Sequence, residues 1–176
     1  MKRSRQPKSP GSPVAAVKGG RPGFAVDAMH GSLARKLRAI GFDASYYRHG
    51  DDEGMMGLAV KEKRLILTSD RSLAARASSK GIQVILLKGK SDGSRLREVS
   101  VAAAEMGIAL RRGDSLCSLC GGELAVLGRG DVEGKVPASV LRRHRRFYRC
   151  VACGQTYWHG SHWKKLRSLA RRLEAK

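Results

Sequence analysis

The chain has 176 residues, 41% of them hydrophobic, and its 35 lysines and arginines against 15 aspartates and glutamates give a formal net charge of +20. This length fits one domain of ordinary size and a small additional module. No apolar run approaches the roughly 18 residues that cross a bilayer, so we expect a soluble, globular protein. A basic excess of this size points to a polyanionic partner, most often a nucleic acid.

The basic residues are concentrated toward the two ends of the chain. Residues 1–23 carry six basic groups and no acidic one, and residues 142–176 carry eleven basic groups against one acidic group. The first 22 residues are rich in Pro, Ser and Gly and hold little apolar surface, so we expect a disordered basic tail. A nucleic-acid-binding arm and a solubilising leader fit it equally well. A transit peptide fits less well, because the tail lacks an amphipathic face.

From residue 23 to residue 113, short apolar runs alternate with stretches in which apolar residues recur at helical spacing. The predicted strands cover residues 24–27, 43–47, 65–68 and 83–87. The predicted helices cover residues 33–40, 53–63, 73–78 and 95–106. Apolar strands that alternate with helices of this length predict an α/β fold, with a parallel sheet and helices on both of its faces.

Carboxylates follow three of these strands. Asp27 closes the first strand, Asp51, Asp52 and Glu53 start the helix after the second, and Asp70 follows the third. Ligands of such sheets gather at the carboxyl ends of the strands. Converging carboxylates would repel one another unless a hard divalent cation lay between them, and Mg²⁺ or Mn²⁺ in that position promotes phosphodiester hydrolysis. The pattern therefore indicates a metal-dependent phosphodiester site.

Helix capping is the main alternative role for these acids. Asp51 or Asp52 stands where a helix N-cap is expected, and Asp70 stands in the same position before the next helix. Capping is less natural for Asp27, because a serine further along is a better start for the first helix. Asp92 follows the fourth strand within a Ser-Asp-Gly sequence, which favours a turn role over an additional metal ligand.

All four cysteines of the chain fall into two C-x-x-C pairs, Cys117 with Cys120 and Cys150 with Cys153. Two such pairs can surround one zinc ion with a closed tetrahedral shell of sulfur, which predicts a structural zinc site. Disulfides would require an oxidising compartment, and the start of the chain has no secretory pattern. A redox motif is disfavoured because neither pair opens a helix after a strand.

The sequence around the cysteines predicts two further helices. Between the pairs, residues 121–149 exceed a minimal ribbon loop, and we predict a short helix at 138–146 with Pro137 at its first position. After the second pair, Trp163, Leu166, Ala170 and further leucines recur at helical spacing, with basic residues on the other faces. Either the apolar stripe of this C-terminal helix docks on the protein and its basic face is solvated, or the basic face contacts RNA.

An aromatic and histidine-rich string follows the second cysteine pair. Its tyrosine and tryptophans, with Tyr148, suit stacking on bases but also suit a small aromatic core. Because four thiolates already complete a zinc shell, His159 and His162 are expected to make hydrogen bonds or RNA contacts rather than bind the metal.

Two parts of the sequence resemble the Mut7-C RNase family. The first comprises the string Phe-Ala-Val-Asp-Ala-Met-His-Gly-Ser-Leu-Ala-Arg-Lys-Leu-Arg at 24–38 and the motifs at 41–44, 51–53 and 66–70. The second comprises both cysteine pairs and the string Tyr-Trp-His-Gly-Ser-His at 157–162. This resemblance, over residues 24–166, implies a PIN-like nuclease domain at 23–112. It also implies a zinc ribbon with a basic C-terminal helix at 113–176.

The resemblance also implies the chemistry. Carried over by position, Asp27 and Asp70 bind the catalytic Mg²⁺ or Mn²⁺, Asp52 or Asp51 completes its shell, and Thr68 supports the acids by hydrogen bonding. The expected reaction is in-line attack of a metal-polarised water on an RNA phosphate. The expected location is the cytoplasm, and the expected partner is RNA, with a ribosome or a tRNA as the particular form left open.

Three positions depart from the family pattern. Ser69 stands where the family commonly has Arg, with Arg71 close by to replace its charge. His30 and Arg95 stand where the family often has Leu and Gln. Since the acids are intact, these departures concern contacts with the substrate.

The residues expected to contact RNA are basic or aromatic. They are Arg35, Lys36, Arg71, Trp158, His159, His162, Lys164 and Lys165. The alternative function is a non-catalytic zinc-ribbon protein that binds RNA or the ribosome and in which the acids are helix caps. Loss of activity on metal removal and its recovery with Mn²⁺ would separate a nuclease from such a binder.

Overall fold

The computed structural model describes residues 23–160 and residues 163, 165, 166, 168 and 170. The predicted basic tail at 1–22 lies outside the described residues. So do His162, Lys164 and residues 171–176, which the sequence assigns to the C-terminal helix. None of the helices that the structure describes is long and apolar enough to cross a bilayer.

Four parallel strands form the main sheet, in the order β2-β1-β3-β4. They are β1 at Gly23–Val26, β2 at Ala44–Tyr46, β3 at Arg64–Thr68 and β4 at Val84–Leu86. The two central strands pair in register, with Ala25 opposite Ile66. All of β1 and the last four residues of β3 are buried, as expected for inner strands covered on both faces. The predicted parallel sheet is confirmed.

Four helices cover the two faces of this sheet. They are α1 at Gly31–Ala39, α2 at Asp52–Lys61, α3 at Arg71–Ser79 and α4 at Asp92–Glu105. On one face, α1 and α4 pack against Phe24 and Val26 of β1. On the other face, α2 and α3 pack against Ala25 and Ile66. Successive residues of a strand point to opposite faces, so this alternation along β1 assigns the helices to two layers.

A glycine ends α1 and fixes the path of a later segment. Gly41 has φ of 94°, a left-handed conformation that favours glycine. A Cβ atom at this position would lie 2.2 Å from the carbonyl oxygen of Gly113, whose own N–H donates to the carbonyl oxygen of Gly41 at 2.8 Å. Only glycine permits this close approach, which brings the start of the cysteine-containing region against the end of α1.

The cysteine-containing region forms a second, antiparallel sheet in the order β5-β6-β7. Its strands are β5 at Leu124–Leu127, β6 at Phe147–Cys150 and β7 at Thr156–Trp158. The predicted insert is present as α5 at Ala138–Arg143, three residues shorter at its end than expected. Pro137 is the N-cap rather than the first helical residue, because its ψ of 141° is extended.

The C-terminal helix docks through its apolar residues. Ala170 is fully buried and belongs to the core between α1 and α4, and Leu166 packs against the same core. For the described positions, the predicted docking of the apolar stripe is therefore confirmed, and contact of the basic face with RNA stays a prediction.

Candidate active site and metal centre

The carboxyl ends of β1 and β3 form the topological switch point of the main sheet. From β1 the chain passes to β2 on one side, whereas β3 lies on the other side of β1. In sheets of this kind, ligands bind in the crevice at that reversal. Asp27 follows β1 directly, Thr68 is the last residue of β3, and Asp70 comes two residues later. Two of the predicted acids thus flank the crevice.

A chain of hydrogen bonds joins these two acids through Thr68. Its Oγ1 donates to Oδ2 of Asp27 at 2.5 Å and accepts the backbone N–H of Asp70 at 3.0 Å. Thr68 is fully buried, and the Asp27 backbone N–H donates to the carbonyl oxygen of Leu67 at 3.0 Å. Because Thr68 is the last residue of β3 and Asp27 directly follows β1, this hydrogen bond fixes the orientation of the Asp27 carboxylate.

Asp70 is also the N-cap of α3. Its Oδ1 accepts the backbone N–H groups of Ser72 at 2.7 Å and Leu73 at 3.1 Å. Capping therefore occupies one oxygen of the Asp70 carboxylate. The same two hydrogen bonds hold the side chain at the edge of the crevice.

Asp51 caps α2 through one oxygen and is held by a tyrosine through the other. Oδ2 accepts the Gly54 N–H at 2.7 Å, and Oδ1 accepts the Tyr47 hydroxyl at 2.6 Å. The hydrogen bond from Tyr47, followed by that from Gly54, lowers the pKa of Asp51 below its ordinary value. Its neighbour Asp52 forms an ion pair with Arg76 of α3. Both residues are thus engaged with the helices rather than with Asp27.

The acids and the cysteines differ in how closely they approach one another. In the described part of the chain, the four cysteines are the one group of three or more Cys, His, Asp or Glu residues whose ligand atoms all lie within 4.8 Å. Asp27 and Asp70 are linked through Thr68, but Asp51 and Asp52 do not converge with them to that distance.

The three departures from the family pattern are neighbours in space. His30 is 3% exposed, and its Nε2 lies 3.0 Å from Oγ of Ser69, between the two ends of the hydrogen-bond chain. Burial, and then the positive charge of Arg95, lower the pKa of His30 below 6.5. Among the described residues, His30 Nδ1 and Arg95 Nε are buried without a hydrogen-bond partner. The sequence identified these positions singly, and nothing in it showed that they meet.

Asp92 accepts hydrogen bonds from three side chains and is not a turn residue. As the first residue of α4, it accepts from Ser32 Oγ at 2.6 Å, Lys36 Nζ at 2.5 Å and Arg95 Nη1 at 3.1 Å. Burial raises the pKa of Asp92, but the hydrogen bonds from Lys36 and Ser32 outweigh that effect and lower it overall. Lys36, expected to contact RNA, is therefore paired with a carboxylate.

The four cysteine sulfurs are arranged for one metal ion. The Sγ atoms of Cys117 and Cys153 are 3.6 Å apart, and those of Cys120 and Cys150 are 3.4 Å apart. A disulfide would require about 2.05 Å, whereas four sulfurs at about 2.3 Å from a tetrahedral zinc ion lie roughly 3.8 Å from one another. The donor set and its spacing fit zinc.

Polar groups surround the cysteine sulfurs and stabilise the thiolate of Cys117. Tyr157 Oη lies 3.1 Å from Cys117 Sγ, and the Gly122 N–H donates to Cys120 Sγ at 3.4 Å. Although burial raises the pKa of the Cys117 thiol, hydrogen bonds, first among them that of Tyr157, lower it to about 6. Such donors orient the ligands of a metal and favour their ionised form.

Aromatic side chains predicted to contact RNA form one stack. His159 lies between Tyr148 and Trp163, with ring centroids 4.7 Å and 4.5 Å away. Trp158 is 37% exposed, and the basic residues Arg35, Arg71 and Lys165 are exposed.

A family model described as the Mut7-C RNAse domain matches residues 22–170. No curated protein and no solved structure gives a significant match to the chain.

Proposed function

Because the chain belongs to the Mut7-C RNase domain family, we propose that it is a metal-dependent ribonuclease that hydrolyses RNA phosphodiester bonds at the switch point between β1 and β3. The observation that carries this proposal is the hydrogen-bond chain from Asp70 through Thr68 to Asp27. It holds the carboxylate of Asp27 and the backbone of Asp70 beside the crevice where ligands of such sheets bind, and the Asp70 carboxylate is held there by its capping bonds.

Asp27 and Asp70 are the proposed ligands of Mg²⁺ or Mn²⁺. Asp27 accepts from Thr68 at Oδ2 and Asp70 accepts its capping bonds at Oδ1, so the second oxygen of each carboxylate is the proposed donor. Hard divalent cations prefer carboxylate oxygens of this kind. When bound, the ion would polarise a water molecule and neutralise charge on the phosphate.

Asp52 is the better third ligand than Asp51. Both oxygens of Asp51 are held by Tyr47 and by the backbone of its own helix, and turning that side chain would uncap α2. Asp52 is held by the side chain of Arg76, which can change rotamer without disturbing a backbone hydrogen bond. We therefore assign Asp52 to the metal and Asp51 to the helix.

The protein's remaining contribution is to hold RNA. Arg35, Arg71 and Lys165 are exposed and can neutralise phosphates, which would make binding strongly dependent on salt. Within this proposal, residues 23–112 form the nuclease domain and residues 113–176 form a zinc ribbon that positions the substrate. Lys36 contributes less to phosphate binding than the sequence suggested, because Asp92 already pairs with it.

A non-catalytic RNA- or ribosome-binding protein is the second candidate. It is favoured by the engagement of Asp51 and Asp70 as helix caps and of Asp52 as the partner of Arg76. In that case the acids would stabilise α2 and α3, and the basic surface alone would bind RNA.

Cleavage of end-labelled single-stranded RNA by the zinc-loaded protein separates the two candidates. Mg²⁺ and Mn²⁺ should be omitted and then restored, because a chelator could extract the zinc as well. A nuclease cleaves only after the metal is restored, whereas a pure binder retains intact RNA in both conditions. A further control is to add zinc alone, which should not support cleavage.

A further inference from the structure

A cleft of about 250 Å³ lies between α1 and the small sheet, outside the acid site. We call it the aromatic cleft and define it by six of its lining residues. These are Ala39, Tyr148, Tyr157, Trp158, Trp163 and Leu166. Arg35 and Lys36 of α1 also border it. The cleft is thus lined mainly by aromatic and apolar side chains, with basic residues at one side.

The walls of the cleft are suited to a planar ring. His159 and Trp163 stack with their planes inclined by only 3°, and Tyr148 lies against the other side of His159. Trp158 adds a large aromatic surface that is 37% exposed. Single-stranded nucleic acids are held by such aromatic surfaces because every base offers a ring face for stacking.

Helix α1 connects the aromatic cleft to the segment of the chain that follows Asp27. Ser32 and Lys36 both donate to the Asp92 carboxylate, and Lys36 also lines the cleft. Residues 31–36 of α1 rise about 7.5 Å and the three-residue turn before them about 6 Å, a combined distance that one RNA strand crosses within about four nucleotides. The start of α1 follows Asp27 through the short turn Ala28–His30. A strand whose phosphate lies at Asp27 can therefore place a nearby base in the cleft.

We propose that the aromatic cleft binds one unpaired nucleobase of the RNA substrate, while Arg35 binds the adjoining phosphate. This inference deepens the proposed ribonuclease function and rests on it for the position of the scissile bond. The formal net charge of +20 and the exposed Arg35 favour a nucleic acid over an apolar peptide as the occupant. Because a paired base cannot leave its stack without cost, the substrate must be single-stranded near the point of cleavage.

Tryptophan fluorescence reports directly on this cleft. The chain has two tryptophans, Trp158 and Trp163, and both line it. The probes are a five-nucleotide oligouridylate, the same oligomer with abasic sugars, and a blunt RNA duplex. Each is added to the full zinc-loaded protein without Mg²⁺ or Mn²⁺, so that binding is measured in the absence of cleavage.

The oligouridylate should quench the tryptophan emission. Since stacking contributes about 1–3 kcal/mol per base, the abasic oligomer should bind between about fivefold and about 150-fold more weakly. The duplex should bind without quenching. Equal affinity for the oligouridylate and the abasic oligomer would overturn the proposal, as would binding of the oligouridylate seen by anisotropy with no change in tryptophan emission.

Variants test whether the base-dependent affinity for the oligouridylate arises in the aromatic cleft. Trp158→Ala should weaken binding of the oligouridylate and leave binding of the abasic oligomer unchanged, and Trp158→Phe should restore most of the affinity. Val151→Ala is the matched control, because Val151 is 68% exposed in the same small sheet region and does not line the cleft. If Trp158→Ala does not retain its zinc, the ratio of the parent protein's affinities for the oligouridylate and the abasic oligomer decides whether a base is bound.

The failure of this inference can be distinguished from failure of the proposed function. Base-dependent quenching without any metal-dependent cleavage would refute the ribonuclease and support the cleft. Metal-dependent cleavage with no loss of affinity for the abasic oligomer would support the ribonuclease and refute the cleft.

Discussion

Arg38 of α1 donates a hydrogen bond of 2.8 Å from Nη1 to the carbonyl oxygen of Leu119, inside the first cysteine pair. Its Nε also donates to the carbonyl oxygen of Ala44 at 2.7 Å, at the start of β2. The side chain is only 7% exposed, and the Leu116 N–H donates to its carbonyl oxygen at 2.9 Å. One guanidinium thus connects the main sheet with the metal-binding turn.

Replacing Arg38 should destabilise the protein without removing any zinc ligand. Arg38→Met keeps an apolar stem but leaves buried carbonyl oxygens without a donor, so the free energy of unfolding should fall by about 2–4 kcal/mol. Denaturant titration of the zinc-loaded protein measures this change. Arg35→Met, an exposed position on the same helix, should change it by less than about 0.5 kcal/mol. Equal effects of the two substitutions would contradict the proposed connection.

Zinc should be bound in a ratio of one ion per chain and should stabilise both sheets. Elemental analysis of Cys120→Ser should show reduced zinc, because a tetrahedral site loses one of four ligands. Removing the zinc should also reduce the loss in the free energy of unfolding caused by Arg38→Met, since the turn that accepts the hydrogen bond of Arg38 is then no longer fixed. A zinc-free parent protein with unchanged stability would contradict this prediction.

Thr68 should be needed for activity because of its hydroxyl group and not its shape. Thr68→Val removes the donor to Asp27 and the acceptor for Asp70 at a fully buried position. We expect a loss of about 1–3 kcal/mol of stability and a fall of at least about tenfold in cleavage rate. Thr68→Ser keeps the hydroxyl and should retain most of both. A fully active Thr68→Val protein would show that the orientation of Asp27 does not matter.

Asp92 should make stability dependent on pH in the acidic range. Its pKa in the folded protein lies below the ordinary value of 3.8, because hydrogen bonds from Lys36 and Ser32 outweigh the effect of burial. The facing charged groups are Lys36 and Arg95, with His30 nearby. As the pH falls, Asp92 therefore takes up a proton in the unfolded chain before it does so in the folded protein. The contribution of Asp92 to the free energy of unfolding is complete above about pH 4 and is lost as the pH falls through the pKa of Asp92 in the folded protein.

Comparison of the parent with Asp92→Asn measures this contribution. At pH 7, the difference in the free energy of unfolding should be about 2 kcal/mol, the scale of hydrogen bonds to a charged group. It should shrink as the pH is lowered below 4. A difference that stays constant with pH would assign the effect of the substitution to something other than the carboxylate charge.

The features predicted correctly from sequence are those with a local signature. The buried strands were recognisable because β1 and β3 are apolar on both faces, and the metal centre because the cysteine spacing restricts its geometry. The contact of His30 with Ser69 spans 39 residues of sequence, and that of Ser32 with Asp92 spans 60. No local pattern encodes such pairs, since they depend on which strand ends become neighbours.

The acidic residues also form one contact that has no local pattern in the sequence. Their positions after strands were predictable, and so was the capping by Asp51 and Asp70. The ion pair of Asp52 with Arg76 depends on how α2 packs beside α3, and the sequence alone did not indicate it.

The central claim is that Asp27 and Asp70 bind a metal that drives RNA cleavage. The most direct test is the single-turnover cleavage rate of single-stranded RNA in Mg²⁺ or Mn²⁺ for Asp27→Asn and Asp70→Asn. The control is Asp43→Asn, the same change beside the amino end of the sheet, where the carboxylate is 58% exposed. We expect a fall of at least about a hundredfold for the first two variants and little change for the control. Cleavage by the Asp27→Asn and Asp70→Asn proteins at the parent rate would contradict it.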